Sequence, residues 1–255
     1  MTAVFALEGV VLRFGRRTVL DGLSLGVAPA EILTVVGPSG GGKTSIVRSL
    51  LGFDVPQKGT VRLAGDVASA DGKLRMLPED RGIAIVFQDL ALWPHLSVAA
   101  HLAFGLESQR VPPAERAQRI ALMLQQVGLE GRAASYPRDL SGGERRRVAI
   151  ARALVLEPRA VLFDEPLANL DVVLKNDLLQ LFGVLLRARG AAALYVTHDL
   201  REAARLGGRV AVLEQGRIVQ SGPLEDLCAS PATEFVRRLV EDLNGSSRAS
   251  STRKQ

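Results

Sequence analysis

The segment GPSGGGKT, residues 37–44, limits the possible folds of this chain more than any other feature. It is a complete G-x-x-x-x-G-K-[ST] pattern between the apolar run ILTVV and the helical pattern KTSIVRSLL. This order predicts a strand, a phosphate-binding loop and a helix, in which Lys43 reaches the β and γ oxygens of a nucleotide and Thr44 binds Mg²⁺. The alternative is a glycine-rich turn that happens to precede Lys-Thr. The residues expected to hold phosphate are Gly37, Pro38, Ser39, Gly40, Gly41, Gly42, Lys43, Thr44 and Ser45.

Five short apolar runs lack the alternation of a strand with one exposed face. Such runs are typical of parallel strands that are covered on both sides. Segments with the period of an amphipathic helix lie between some of them. The runs are residues 32–36, 83–87, 160–163, 192–197 and 210–214.

The remaining patterns complete the fold prediction. The N-terminal segments alternate or turn at glycine, which indicates antiparallel strands, and residues 89–140 have helical periodicity and several prolines. We predict an α/β fold: a P-loop NTPase core with a mostly parallel sheet, an antiparallel N-terminal β subdomain and an inserted helical subdomain. The predicted limits are residues 1–88 and about 141–243 for the core with its β subdomain, about 89–140 for the helices, and 244–255 for a disordered tail.

Composition is that of an ordinary folded protein. The chain has 255 residues, 47% of them hydrophobic, and its net charge of +5 is spread among 27 acidic residues, which does not favour a nucleic-acid-binding protein. Because Cys228 is the only cysteine, no internal disulfide is possible, and we expect a small buried hydrophobe rather than a reactive thiol. No apolar run of 18 residues and no signal peptide are found, so we expect a chain that neither crosses a membrane nor leaves the cytoplasm.

Two adjacent acids follow the apolar run at residues 160–163. A strand that runs toward the phosphate loop and ends in Asp164 supplies the oxygen ligand that Mg²⁺ prefers, through water. Glu165 lies one residue further along, where its carboxylate can polarise an attacking water as a general base. Taken alone, the two acids fit a solvated turn, but the preceding phosphate loop favours the metal and the base.

The segment LSGGERRR, residues 140–147, predicts a second anion site. Ser141 and Glu144 have the spacing of a capping box, and the glycines between them leave backbone N–H groups bare at the positive end of the helix dipole. The alternative is an ordinary helix cap. We expect the three arginines that follow to form a solvated helix face.

With GPSGGGKT, LSGGERRR and VLFDEP in this order, the chain resembles the nucleotide-binding subunits of ABC transporters from Phe5 to about Leu239. The resemblance implies the ABC ATPase fold and an ATPase that forms a head-to-tail homodimer around two ATP, each with Mg²⁺. Each ATP would lie between the phosphate loop of one subunit and the LSGGE helix of the other, so that Ser141, Gly142 and Gly143 face the opposite γ-phosphate. A second helix N-terminus would surround that phosphate with donors and exclude water.

The resemblance also assigns roles to smaller motifs. Gln88 stands where these subunits have a glutamine that touches Mg²⁺ and the attacking water, and His198 has the position of a switch histidine on the γ-phosphate. Asp171 resembles the loop that crosses the dimer near the partner's site. Phe14 fits the aromatic residue that stacks on adenine, with core packing as the alternative. The implied catalytic residues are Glu165, His198, Gln88 and Lys43, and the implied metal ligands are Thr44, Gln88 and Asp164.

Residues 91–106, ALWPHLSVAAHLAFGL, are similar to the corresponding stretch of importers for iron, polyamines, sulfate, molybdate and related solutes. In that group the stretch forms part of a groove for a helix of the membrane subunit. Trp93, Pro94 and His95 are therefore expected to be exposed, and the alternative is a small core of the helical insertion. The resemblance implies transmembrane permease subunits and a solute-binding protein as partners, and a position at the cytoplasmic face of the cell membrane, with no specific nucleic acid.

Two other functions are alternatives. A soluble ABC ATPase that acts on nucleic acid or the ribosome would share the three motifs, but this sequence contains neither the long coiled coils nor the second ATPase domain of such proteins. A P-loop kinase for a small molecule would have no LSGGE helix and no dependence on a dimer.

Overall fold

A computed structural model describes the backbone of residues 3–251 and the side chains of residues 3–245. The strands, in chain order, are β1 Phe5–Phe14, β2 Arg17–Val27, β3 Ile32–Val36, β4 Lys58–Leu63, β5 Asp66–Ala70, β6 Lys73–Leu74, β7 Ile83–Val86, β8 Ala160–Asp164, β9 Ala192–Thr197, β10 Arg209–Glu214 and β11 Arg217–Pro223. The α-helices are α1 Lys43–Leu51, α2 Val98–Ser108, α3 Pro113–Gln126, α4 Gly142–Leu154, α5 Val172–Arg189, α6 Leu200–Leu206, α7 Leu224–Ala229 and α8 Glu234–Ser251. All five apolar runs of the sequence form strands, so this prediction is confirmed.

The chain divides into two compact units. The first contains the residues up to Arg81 and those from Ala192 onward, and the second runs from Gly82 to Ala191. The second unit is larger than the predicted helical subdomain, residues 89–140, because β7, β8, α4 and α5 group with α2 and α3.

Two sets of paired strands build the first unit. One is an antiparallel sheet in the order β2-β1-β4-β5-β6, which confirms the predicted antiparallel N-terminal sheet. In the other, β3 lies between β10 and β9 in parallel pairing, and β11 pairs antiparallel with β10. Every residue of β3 and β9 is buried, as expected for strands covered on both faces. Val36 pairs with Thr197, so β3 and β9 end at the same edge.

The second unit contains the parallel pair β7 and β8, with Val86 opposite Phe163. Phe163 stacks on Phe182 of α5 with ring centroids 5.4 Å apart, which fixes this helix on the strand pair. Asp171 begins α5, because its Oδ1 accepts a hydrogen bond from Leu174 N at 3.0 Å. No helix within residues 3–251 combines the length and the apolar character needed to span a bilayer.

A buried arginine joins α1 to the antiparallel sheet of the first unit. Arg81 donates to the main-chain oxygens of Ser49 and Leu50 and to Ser69 Oγ. Gly52 ends α1 with a φ of 82°, and a Cβ at this position would lie 2.6 Å from the Arg81 guanidinium. Burial lowers the pKa of Arg81 to about 10.

The last helix, α8, covers one apolar core of the first unit. Val236 and Val240 pack with a cluster that includes Leu227, and Cys228 is half-buried against it, in agreement with the expected role of a small hydrophobe. The helix continues to Ser251, whereas the sequence predicts a disordered tail from residue 244. Lengthening a helix that is already packed costs little per residue. Residues 252–255 of that tail lie outside the described residues.

Candidate functional site

The loop after β3 has the backbone of a phosphate-binding loop. Gly37 N donates to Thr197 O at 3.3 Å, Gly41 N donates to Pro38 O at 3.1 Å, and α1 begins directly after Gly42. Gly42 has a φ of 105°, and a Cβ there would lie 2.9 Å from Val19 O. Both the dihedral angle and the close approach require glycine at position 42.

Lys43 is the buried cation of this loop. Only 3% of the residue is exposed, and its Nζ donates to the main-chain oxygens of Gly37 and Pro38, both at 2.9 Å. Thr44, the next residue, is exposed, and Ser45 is half-buried. The loop therefore offers an ammonium group and a hydroxyl at the start of a helix. A nucleoside triphosphate with Mg²⁺ requires these two groups, the first for its phosphates and the second for the metal.

Phe14 and an arginine that sequence analysis missed belong to the same unit. Phe14 ends β1 and is 53% exposed, so the alternative of core packing is wrong and the ring is accessible for stacking. Arg17 begins β2, and its Nη2 donates to Gly40 O in the phosphate loop at 3.2 Å. No sequence pattern marks Arg17, because its partner is a main-chain oxygen more than twenty residues away.

His198 follows β9 as predicted and is exposed. Because Val36 pairs with Thr197, Gly37 and His198 leave adjacent strands at the same edge. Asp199 N donates to Thr197 Oγ1 at 3.0 Å, and Asp199 Oδ1 accepts from Arg201 N at 3.0 Å to cap α6. These bonds fix the turn that carries His198.

The second unit brings Asp164 and Gln88 together. Both side chains line a cavity of about 500 Å³, whose other lining residues are Phe87, Asp89, Arg146, Ala168 and Asn169. The arrangement follows from the parallel pairing of β7 and β8, since the residues after two parallel neighbours emerge at one edge. Asp164 is 8% exposed, and Glu165, the next residue, is half-buried and has a φ of 45°. Carboxylate and amide oxygens in one cavity fit a hard cation such as Mg²⁺.

The LSGGE segment forms the predicted capping box at the start of α4. Ser141 Oγ accepts from Glu144 N at 3.2 Å, and a Glu144 carboxylate oxygen accepts from Ser141 N at 2.8 Å. Ser141 is exposed, whereas Gly143 is buried, and a Cβ at Gly143 would lie 2.9 Å from Leu174 Cδ1. Gly143 therefore allows α4 and α5 to pack closely, and the exposed Ser141 leaves the positive end of α4 accessible to an anion.

The prediction that three arginines of α4 form a solvated face is wrong. Arg145, Arg146 and Arg147 are all half-buried and donate to main-chain oxygens. Arg145 reaches Leu140 O at 2.9 Å and Arg147 reaches Val127 O at 2.9 Å. A run of like charges is usually solvated, but a guanidinium can satisfy orphan carbonyls, and the positions of those carbonyls are set by tertiary structure.

Asp171 is exposed and caps α5 through its side chain, so the structure gives it a local role besides the predicted contact with a partner subunit. Gln88, Ser141, Asp164, Glu165 and Asp171 belong to the second unit. Phe14, the loop 37–45 and His198 belong to the first.

Trp93, Pro94 and His95 are exposed. Trp93 forms an aromatic patch with two residues of α2: its ring makes an edge contact with Phe104 at 4.9 Å and stacks on His101 at 5.9 Å. Phe104 is 57% exposed, whereas His101 is buried. His101 Nε2 lies 2.9 Å from Trp93 N and must accept, so Nδ1 carries the proton and donates to Ser97 O at 2.8 Å. Burial lowers the pKa of His101, which favours this neutral ring.

The fold and the phosphate loop define an α/β protein of the P-loop class. A family model described as ABC transporter matches residues 20–168, which is more than half of the chain. The chain therefore belongs to the ABC transporter family. A solved structure of an ATP-binding subunit of an ABC transporter superposes with a TM-score of 0.75 at 27% identity, over 89% of this chain and 92% of that one.

Several curated relatives are ATP-binding subunits of importers. The spermidine/putrescine import ATP-binding protein PotA of Nitrosomonas eutropha is 39% identical over 95% of this chain and 65% of its own length. The sulfate/thiosulfate import ATP-binding protein CysA 2 of Chromobacterium violaceum is 42% identical over 94% of this chain and 64% of its own. The Fe(3+) ions import ATP-binding protein FbpC of Escherichia coli strain K12 is 38% identical over 93% of this chain and 67% of its own. The chain thus spans about two thirds of the length of these relatives, and none of their names supports the nucleic-acid alternative.

Proposed function

We propose that this chain is the ATP-hydrolysing subunit of an importer, and that two copies close head to tail around two ATP molecules. The names of the relatives support the link to import. The observation that carries the dimer is the exposed Ser141 at the glycine-rich start of α4, in a chain that already has a complete phosphate loop. Two anion-binding helix starts in one chain are explained if each serves one side of a triphosphate.

The phosphate loop holds the triphosphate of ATP through its backbone N–H groups. Lys43 exchanges its bonds to Gly37 O and Pro38 O for bonds to the β and γ oxygens, because charged phosphate is the stronger acceptor. Phe14 stacks on adenine, and His198 donates to the γ-phosphate. Across the dimer, Ser141, Gly142 and Gly143 contact the γ-phosphate of the ATP bound by the other subunit, with Asp171 beside that site.

Glu165 accepts the proton of the attacking water. Gln88 orients this water and shares with Asp164 the cavity of the second unit. Bound Mg²⁺ would neutralise charge on the β and γ oxygens, and its proposed oxygen donors are Thr44, Gln88 and Asp164. The protein then stabilises the transition state mainly by position and electrostatics.

The two exposed rings of the aromatic patch, Trp93 and Phe104, are the proposed contact for a transmembrane permease subunit. An edge-on aromatic pair with exposed apolar faces suits an apolar helix of a partner. The chain would then work at the cytoplasmic face of the membrane, with a solute-binding protein as a further component of the system.

The test of the ATPase and the dimer is Glu165→Gln, which removes the base and keeps both anion sites. We expect kcat to fall by about 10² to 10⁴ and the variant to accumulate as a dimer with Mg-ATP, measured by light scattering after size exclusion. Glu130→Gln, at an exposed acid of the same unit, is the control and should hydrolyse ATP as the wild type does. A Glu165→Gln chain that binds ATP and stays monomeric with the nucleotide would contradict the dimer.

A further inference from the structure

Arg146 connects two segments of the second unit that the proposed function assigns to different ATP molecules. Its Nε donates to Pro166 O at 3.0 Å and its Nη2 to Ala168 O at 3.1 Å, both in the loop between β8 and α5. Its Nη1 donates to Gly142 O at 3.3 Å, in the first turn of α4. One guanidinium therefore bridges the start of the LSGGE helix and the loop that follows Asp164.

Two residues of the bridged loop have a positive φ. Glu165 and Asn169 have φ values of 45° and 60°, in the left-handed region that residues with a Cβ seldom occupy. Pro166 and Ala168, whose oxygens Arg146 binds, lie between these two positions. Two parallel donors on one planar group fix both the position and the direction of the loop.

Arg146 also faces the cavity that contains Gln88 and Asp164. Desolvation is the main cause that lowers the pKa of its guanidinium, and arginine nevertheless keeps its charge at neutral pH. The neighbouring Arg145 and Arg147 donate to Leu140 O and Val127 O, outside this loop. Of the three arginines, Arg146 is the one whose described bonds reach the loop.

We propose that Arg146 is a positioning residue that fastens residues 165–171 to the first turn of α4, so that engagement of Ser141 by one ATP sets the position of Glu165 for the other. The inference rests on the proposed function. In the closed dimer, Ser141 would contact the ATP of the partner, while Glu165 would act on the ATP of its own subunit. The fastening makes the rate of hydrolysis at one site depend on occupancy of the other, which is a kinetic coupling between the two sites.

The fastening itself is tested without nucleotide, by hydrogen exchange of the amides in residues 165–171. We compare Arg146→Met with Arg189→Met. Arg189 is also a half-buried guanidinium with a desolvation-lowered pKa, but it donates to Leu185 O and to the side chains of Met123 and Gln126. We expect Arg146→Met to raise exchange in this segment by at least about tenfold, as expected from loss of charge-assisted bonds, and Arg189→Met to leave it unchanged. Equal exchange in the two variants overturns the inference, whatever the protein hydrolyses.

The proposed coupling between the two sites is tested by measuring steady-state ATP hydrolysis. We expect Arg146→Met to lower kcat by about 10- to 100-fold with KM within about threefold of the wild type, because binding groups are intact and the base is misplaced. The Hill coefficient for ATP should fall toward one. Arg146→Lys keeps the charge and an ammonium donor but lacks the planar fork, so it should restore part of kcat. It also guards against a Met variant that does not fold.

The two levels of failure are distinguishable. A wild-type chain without ATPase activity contradicts the proposed function, and the exchange experiment still decides whether Arg146 fastens the loop. Cooperative hydrolysis that Arg146→Met retains contradicts the coupling alone. Arg146→Met could instead lower kcat and the melting temperature and raise KM together, with no recovery in Arg146→Lys. That result would make Arg146 merely structural and overturn its positioning role.

Discussion

Lys43 Nζ lies 2.9 Å from the main-chain oxygen of Gly37, inside the loop that Lys43 closes. The ammonium group is thus directed into the phosphate loop by the loop's own main chain. Its second bond, to Pro38 O, has the same length. The loop holds its cation in place with carbonyl groups that a phosphate oxygen can replace.

The first prediction follows from this geometry. Lys43→Met should raise the dissociation constant for ATP by about 10- to 100-fold, since a hydrogen bond to a charged group contributes about 1.5 to 3 kcal/mol. Equilibrium binding of a fluorescent ATP analogue measures it. Lys73→Met, at an exposed lysine on β6, is the control. Equal affinities of the two variants for ATP would show that Lys43 does not contribute to ATP binding.

A glycine substitution tests the backbone of the loop. Gly42→Ala should destabilise the fold by about 2 kcal/mol and abolish measurable ATP binding, because it combines a positive φ with a Cβ clash. The nearest atoms to that Cβ are Val19 O at 2.9 Å and Leu20 Cδ2 at 3.0 Å. Chemical denaturation gives the stability. Gly131→Ala, where no atom lies within 4 Å of the added Cβ, should be nearly neutral, and a similar loss there would show that the effect is not specific to the loop.

Arg81 is predicted to be a stability residue without a role in turnover. Arg81→Met should lower the free energy of unfolding by about 3 kcal/mol, because several buried carbonyl oxygens lose their donor. Thermal and urea unfolding measure the change. Arg75→Met, at an exposed arginine of the same segment, should change stability by less than about 0.5 kcal/mol. A stable Arg81→Met chain would mean that water replaces the guanidinium.

The capping box predicts a pH dependence. Hydrogen bonds from Ser141 are the largest cause that lowers the pKa of Glu144, and the ion pair with Arg132 adds to it. Because the folded pKa is below the unfolded one, this stabilisation is complete above the ordinary pKa of 4.5 and disappears as the pH falls through the lower folded value. Glu144→Gln should therefore melt slightly below the wild type at pH 7 and together with it once the pH is below the folded pKa of Glu144. A difference that persists at acid pH would contradict this cause.

The aromatic patch gives a prediction about partners. Phe104→Ser should leave stability and the ATPase of the isolated subunit nearly unchanged, because the side chain is 57% exposed. Co-expression with a transmembrane permease subunit, followed by co-purification, should show loss of the complex. Val184→Ser, at a 53% exposed position on α5, is the matched control and should keep it. Retention of the permease by Phe104→Ser would place the contact elsewhere.

The sequence by itself determined the features that depend on local spacing. A glycine-rich loop between an apolar strand and a helix, acids at a strand end, and a Ser-x-x-Glu cap are each complete within a few residues, and the structure has them where the pattern predicts. The five apolar runs form strands for the same reason, since a continuous apolar run is typical of a strand that is buried on both faces.

Only the tertiary structure decided what long polar side chains do. Arg17, Arg81 and Arg146 find main-chain oxygens that lie up to 32 residues away, and no local pattern records the position of a carbonyl group. The exposure of Phe14 likewise depends on what packs around the end of β1. The helical state of residues 244–251 depends on α8 being anchored by Val236 and Val240. Extending a packed helix by a polar segment costs little free energy, whereas the same segment alone would have to nucleate a helix.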